Sequence, residues 1–290
     1  MLHHLQNDYY QVTVKEAGAE LSSFRRVRDQ LEYIWQADPA VWPRHAPVLF
    51  PVVGKLPQGK YRYQGQTYAL PQHGFARDAH FDLIHQTHHS LTFALASSPE
   101  TLALYPFAFR LEISYSLQDN SLQTSYRVLN PGQADLYFSI GAHPAFNCPL
   151  LPEEKFEDYY LEFEQPETLS RYLLDQGLQN GRTQAVLQGE QQLPLRYELF
   201  EQDALVFKSV ASQKITLKTA NHAHGLDFTF KDFPYFGIWT KGPGATFVCL
   251  EPWHGIASPV GDSGELTEKE GIRLLAAGDS FDCAYTITVF

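Results

Sequence analysis

The chain has 290 residues, with Lys+Arg 22 against Asp+Glu 33, a net charge of −11, and 44% apolar beside 19% charged residues. That length fits one large domain or two small ones at roughly 100–200 residues each, and the composition excludes a disordered chain. An acidic balance without a basic run speaks against nucleic acid and against anionic membranes, which leaves a small-molecule enzyme or binder as the favoured class.

Phe 20, Tyr 16 and Trp 4 make up 14% of the chain beside a single Met. Such a balance favours sheet, because rings fit a pleated, half-buried surface. The start, Met1–Tyr10, lacks a basic segment and an apolar core, which predicts no secretory leader. Cys148, Cys249 and Cys283 form no disulfide framework, and a reducing, cytoplasmic setting is expected.

In chain order, Tyr9–Lys15 and Ser90–Ala96 alternate apolar and polar residues and are expected to be strands. Ser98-Pro99-Glu100-Thr101 carries a helix cap with Pro in the first turn, which opens a short helix toward Tyr105. Phe109–Leu117 and Ser121–Leu129, joined across Asp119-Asn120, form an expected hairpin. Strands follow over 136–142, 159–163, 205–208, 214–219, 226–230, 237–240, 246–250 and 280–290, with a turn expected within Gly264–Gly271. Many short strands, no repeat and no pooled Pro/Gly linker predict an all-β fold in one domain over 1–290. The expected form is a large antiparallel β-sandwich with few short helices.

Three segments carry candidate chemistry. Gln72–Asp78 (QHGFARD) packs His73, a flexible Gly, Phe75 and Arg77 into seven residues; the plain alternative is a turn with Arg77 paired to Asp78. In Ser139–Pro149 (SIGAHPAFNCP), His143 falls on the polar face at a strand end, Pro144 keeps it extended, and Gly141 leaves space beside it. In Phe247–Gly255 (FVCLEPWHG), Phe247, Cys249 and Glu251 share one face. A carboxylate there, close to Trp253, is expected to have a raised pKa suited to proton transfer. His222-x-His224 lies in a loop without a nearby Glu, so no metal is expected there. Neither a nucleophile elbow nor a phosphate-cradling Gly-rich loop is present.

These residues bring a family into view. The runs HGFAR (73–77), GAHPAFN (141–147) and EPW-x-G (251–255) stand in this order. With Gly18–Leu21, Glu32–Trp35, Ala46–Leu56 and Tyr105–Phe107, the chain resembles the aldose 1-epimerases (galactose mutarotases), especially the LacX-like branch, over nearly its whole length. The resemblance implies a β-supersandwich with a sugar site on a concave sheet face. It implies His143 as catalytic acid, Glu251 as base and His73 as a second, sugar-binding histidine, with no metal or organic cofactor.

The family's arginine after the Phe-Pro-x-x-Gly run appears here as Lys55, a departure that keeps the charge but loses the planar fork. Arg77, Trp239, Phe146 and Trp253 complete the expected sugar-binding set. The chemistry implied is ring opening and closing of a hexose, which needs His143 as imidazolium or with a raised pKa, and Glu251 ionised at rest. Two alternatives stay open: a hexose 6-phosphate as substrate, held by Lys55, Arg77 and Arg44, and a noncatalytic carbohydrate-binding protein. The partner is a small sugar, and the chain is expected as a monomer or homodimer.

Overall fold

The computed structural model describes residues 1–290. Its centre is a fifteen-stranded sheet of antiparallel pairs. From one edge its main path runs through Val48–Leu49, Ile140–Ala142, Phe247–His254, Tyr235–Trp239, Leu205–Lys208 and Tyr159–Asp175. It continues through Lys214–Thr219, Gly225–Thr229, Ser280–Val289, Ser121–Leu129, Arg110–Gln118, Ser90–Ala96 and Asp82–Gln86. A three-stranded sheet of Leu2–Gln6, Tyr10–Lys15 and Glu20–Arg26 and two strand pairs complete the strands. No helix is long and apolar enough to cross a membrane.

Local chemistry explains the well-predicted parts. In the hairpin of Arg110–Gln118 and Ser121–Leu129, alternate residues such as Leu111, Ile113, Leu122 and Tyr126 are buried. Gln118 pairs with Ser121 across a two-residue loop whose Asp119 takes the left-handed φ of 51°, a conformation tight hairpin loops require and Asp tolerates. Ser98 caps the Pro99–Leu104 helix: its side chain accepts from the Thr101 N–H while the Thr101 hydroxyl accepts from the Ser98 N–H.

The two halves of the sheet share one core of 63 buried residues, in which Val248 and Leu250 from one end join Leu226 and Ile287 from the other. Phe146 meets Phe228 across this interior at 5.7 Å between ring centroids. Phe146 therefore does not wall a sugar cleft as expected. It pairs with Val248 and is fully buried, so its ring fills the space between sheet layers.

Phe247–His254 holds the site, and every residue in it is buried. Its even-numbered Val248 and Leu250 face the main core, while Phe247, Cys249 and Trp253 belong to two smaller apolar clusters on the other side. Neighbouring strands extend that second face: Gly237 pairs with Glu251, Trp239 with Cys249, and Val206 with Gly237.

Candidate active site

The second face opens into a cavity of about 320 Å³, lined by His73, Arg77, His143, Trp239, Glu251 and Trp253 among others. This is near the lower end of small-ligand sites, at about 300–1,000 Å³. Glu251 rises from its central strand. His143 stands between Ile140–Ala142 and Ala145–Asn147, where Pro144 follows it. The two meet at 3.2 Å, His143 Nε2 to Glu251 Oε2, with side chains 11% and 2% exposed.

Burial governs their charge. Desolvation pushes the Glu251 carboxyl well above its ordinary value, with the Asp203 carboxylate adding to the effect. Desolvation pulls His143 down to about 3, helped by Arg77 and Arg44. Both shifts favour the uncharged forms: the raised carboxyl agrees with the expectation for Glu251, and the lowered imidazole runs against the imidazolium expected of His143.

His73 is fixed differently. It takes a left-handed φ of 67°, followed by Gly74 at 71°, where a Cβ would stand 2.2 Å from the Phe50 carbonyl oxygen. Its Nδ1 accepts the Gly54 N–H at 3.2 Å. A backbone N–H always donates, so Nε2 must carry the ring proton. Burial lowers the His73 pKa well below the ordinary range, so this neutral tautomer persists. The Gln72 side-chain nitrogen, itself a donor, lies 3.2 Å from Nε2. By contrast, His143 Nδ1 is buried with no partner, and its Nε2 faces the Glu251 carboxyl.

Trp253 lies against two glycines. A Cβ on Gly141 would come within 2.5 Å of its Cδ1, and one on Gly237 within 2.5 Å of its Cη2. The space expected beside Gly141 is filled by this indole, whose Nε1 donates to the Ala142 carbonyl at 3.2 Å. Arg77 lines the cavity, donates to the Gln72 carbonyl at 2.7 Å and stands 3.8 Å from Asp78. The 73–77 run is not extended: it turns into a short 3-10 segment, Ala76–Asp78, and Phe75 packs with Phe50, Tyr105 and Phe109 instead. Lys55 is not among the lining residues. Its ammonium donates to the Gln176 carbonyl at 2.9 Å, and its stem runs past Gly177 at the cavity wall. His222 bonds Glu154 at 3.0 Å, and His224 faces the Arg26 guanidinium at 3.4 Å.

Sequence reasoning missed Trp42, Asp203 and Lys241, which also line the cavity. Trp42 stacks on the His143 ring at 5.0 Å and 26°, while Trp239 meets that ring edge-on at 5.7 Å. The loop bearing Trp42 has no strand pattern but is tied at both ends. Trp35 Nε1 donates to the Trp42 carbonyl at 3.0 Å, and Glu20 Oε1 accepts the N–H groups of His45 and Ala46 at 2.8 and 2.9 Å.

The chain that holds this buried histidine–glutamate pair beside a cavity lined by aromatic rings is similar to known proteins. The family model for aldose 1-epimerase matches residues 1–272. The chromosomal protein LacX of Lactococcus lactis subsp. lactis is 34% identical over 294 residues, covering 98% of each chain. A galactose mutarotase-related enzyme from Lactobacillus acidophilus superposes with a TM-score of 0.96 at 34% identity, over 100% of this chain and 97% of its own. A galactose mutarotase-like protein from Lactobacillus casei gives 0.94 at 33%, with complete coverage of both. The chain belongs to the aldose 1-epimerase family.

Proposed function

We propose that this protein is an aldose 1-epimerase that interconverts the α and β anomers of a hexose, with His143 as acid and Glu251 as base. The observation that carries this reading is the 3.2 Å approach of His143 and Glu251 at the buried end of an aromatic-walled cavity. Ring opening takes the proton from the C1 hydroxyl and gives one to the ring oxygen. Both oxygens are bonded to C1, so acid and base must also be neighbours.

Passing the pair's proton from Glu251 to His143 creates the carboxylate base and the imidazolium acid at no net charge. The sugar hydroxyls supply hydrogen bonds that the dry site lacks, and Trp42 stacked on the imidazole favours its charged form. After C1–C2 rotation the same groups run in reverse on the other face. His73 Nε2–H offers a fixed donor to a sugar oxygen, and Trp239 and Trp253 supply apolar walls.

Glu251→Gln and His143→Asn should each slow anomer equilibration about 10²–10⁴-fold, followed by polarimetry or NMR exchange on fresh α-glucose and α-galactose. Equal rates for wild type and the double variant would remove these sugars from the proposal. A second reading, a hexose 6-phosphate, is favoured by two cations on the cavity wall, Arg77 and Lys241. Rates on glucose and on glucose 6-phosphate separate the two.

A further inference from the structure

The His143–Glu251 pair has a third neighbour that proton exchange leaves unused. Cys249 lies two residues before Glu251, so successive pleats bring both side chains to the same face. Nearby apolar packing comes from Trp35, Ala145, Ala245 and Phe247. One donor atom from each of His143, Cys249 and Glu251 lies within 4.8 Å of the other two, and all three residues are buried. Imidazole nitrogen, thiolate sulfur and carboxylate oxygen form a zinc donor set. Bonds of about 2.0–2.1 Å to nitrogen and oxygen in a tetrahedron place those two atoms about 3.3 Å apart. The observed nitrogen–oxygen separation is 3.2 Å.

We propose that His143, Cys249 and Glu251 form a three-ligand site for a thiophilic divalent cation, Zn²⁺ foremost, whose occupation shuts off proton exchange by the pair. Binding releases two protons to solvent, one from the thiol and one from the pair. Thiolate and carboxylate then cancel the charge of the ion, and neutral imidazole completes the protein ligands. Three protein ligands leave a fourth position for water or a sugar hydroxyl. The metal site stands on the donor geometry alone; only the inhibition rests on the anomerase reading.

Titration of the chelator-treated protein with Co²⁺ and Zn²⁺ tests this. One equivalent of Co²⁺ is expected to give thiolate-to-cobalt charge-transfer absorption, which Zn²⁺ then displaces. An outer-shell partner is worth about 10–100-fold in metal affinity, so removing a direct ligand should cost more. Cys249→Ser should therefore lose the band and weaken Zn²⁺ binding by more than about 100-fold, whereas Cys148→Ser, elsewhere in the core, should keep both. If Cys249→Ser does not fold, Glu251→Gln should keep a thiolate band but bind Zn²⁺ more weakly. No band in wild type, or unchanged affinity in the variant that folds, overturns the site. Tight Zn²⁺ binding that leaves anomer equilibration at full speed overturns the inhibition. Metal binding to a protein with no anomerase activity would support the site and sink the catalytic reading separately.

Discussion

Two histidines share one cavity, and a single ring nitrogen separates their roles. His73 Nδ1 accepts the Gly54 N–H and leaves Nε2 to carry the ring proton, while His143 Nδ1 is unpartnered. Glu251 contributes to stability with a definite sign. Its folded pKa is raised above the unfolded 4.5, so its contribution is intact below that value and is lost as pH rises through the folded one. His143 has the opposite sign: its pKa falls from 6.5 to about 3 on folding, so its contribution is intact above 6.5 and is lost as pH falls toward 3.

Gln cannot ionise, so Glu251→Gln should gain on wild type by up to about 1.4 kcal/mol per pH unit above 4.5, until the folded pKa is reached. Urea midpoints at pH 5 and pH 9 check this. A difference between the proteins that stays constant with pH would show that Glu251 is ionised in the folded state. The sequence showed His143 and Glu251 because a polar residue stands at the end of an apolar strand there, and His73 because an imidazole, a glycine, a ring and a guanidinium crowd into the 73–77 run. It did not show the charge of the pair, because desolvation depends on what the fold packs around it. Trp42 was hidden for a related reason. It sits in a patternless loop, and its supports, Glu20 and Trp35, lie in GAEL and EYIW, runs whose role in holding that loop emerges only in three dimensions.

At the level of elements, alternation was legible wherever one strand face meets water or small polar neighbours, as in Arg110–Gln118. It fails where both faces are covered. Phe247–His254 is buried throughout and continues through Pro252, although a proline is expected to end a central strand. The parity of Phe247, Cys249 and Glu251 survives because a pleat fixes it whatever the burial. Tyr159–Asp175 runs far beyond the expected 159–163, because register shifts beside Glu162, Glu167 and Tyr172 break the two-residue period. Its partner Leu178–Pro194 is largely exposed and too polar to stand out.

The site depends on one close strand approach in particular. At Gly237 a methyl group would enter 2.5 Å from Trp253 Cη2 and 3.3 Å from the Glu251 Cβ. Gly237→Ala should therefore destabilise by about 1–3 kcal/mol, as overpacking does, and displace Glu251 enough to depress the rate. Thermal unfolding and anomer exchange on the same sample read both effects. An unchanged melting temperature with an unchanged rate would mean that Trp253 has room to move.

Across the whole molecule, strand order matters more than strand count. Val48–Leu49 pairs with Ile140–Ala142, which pairs in turn with Phe247–His254. Ser280–Val289 lies between Ser121–Leu129 and Gly225–Thr229. The site is equally dispersed, with Trp42, His73, His143, Asp203 and Glu251 drawn from five separate stretches. A cut near the middle of the chain severs sheet pairs, core and cavity together. Residues 1–290 should then unfold as one unit, with a single calorimetric transition whose measured enthalpy equals the van't Hoff value. Because N-terminal and C-terminal strands must meet before the cavity exists, loss of sugar binding in denaturant should coincide with loss of tertiary signal. Two resolved transitions, or a sugar-binding intermediate, would show that part of the sheet holds the site without the rest.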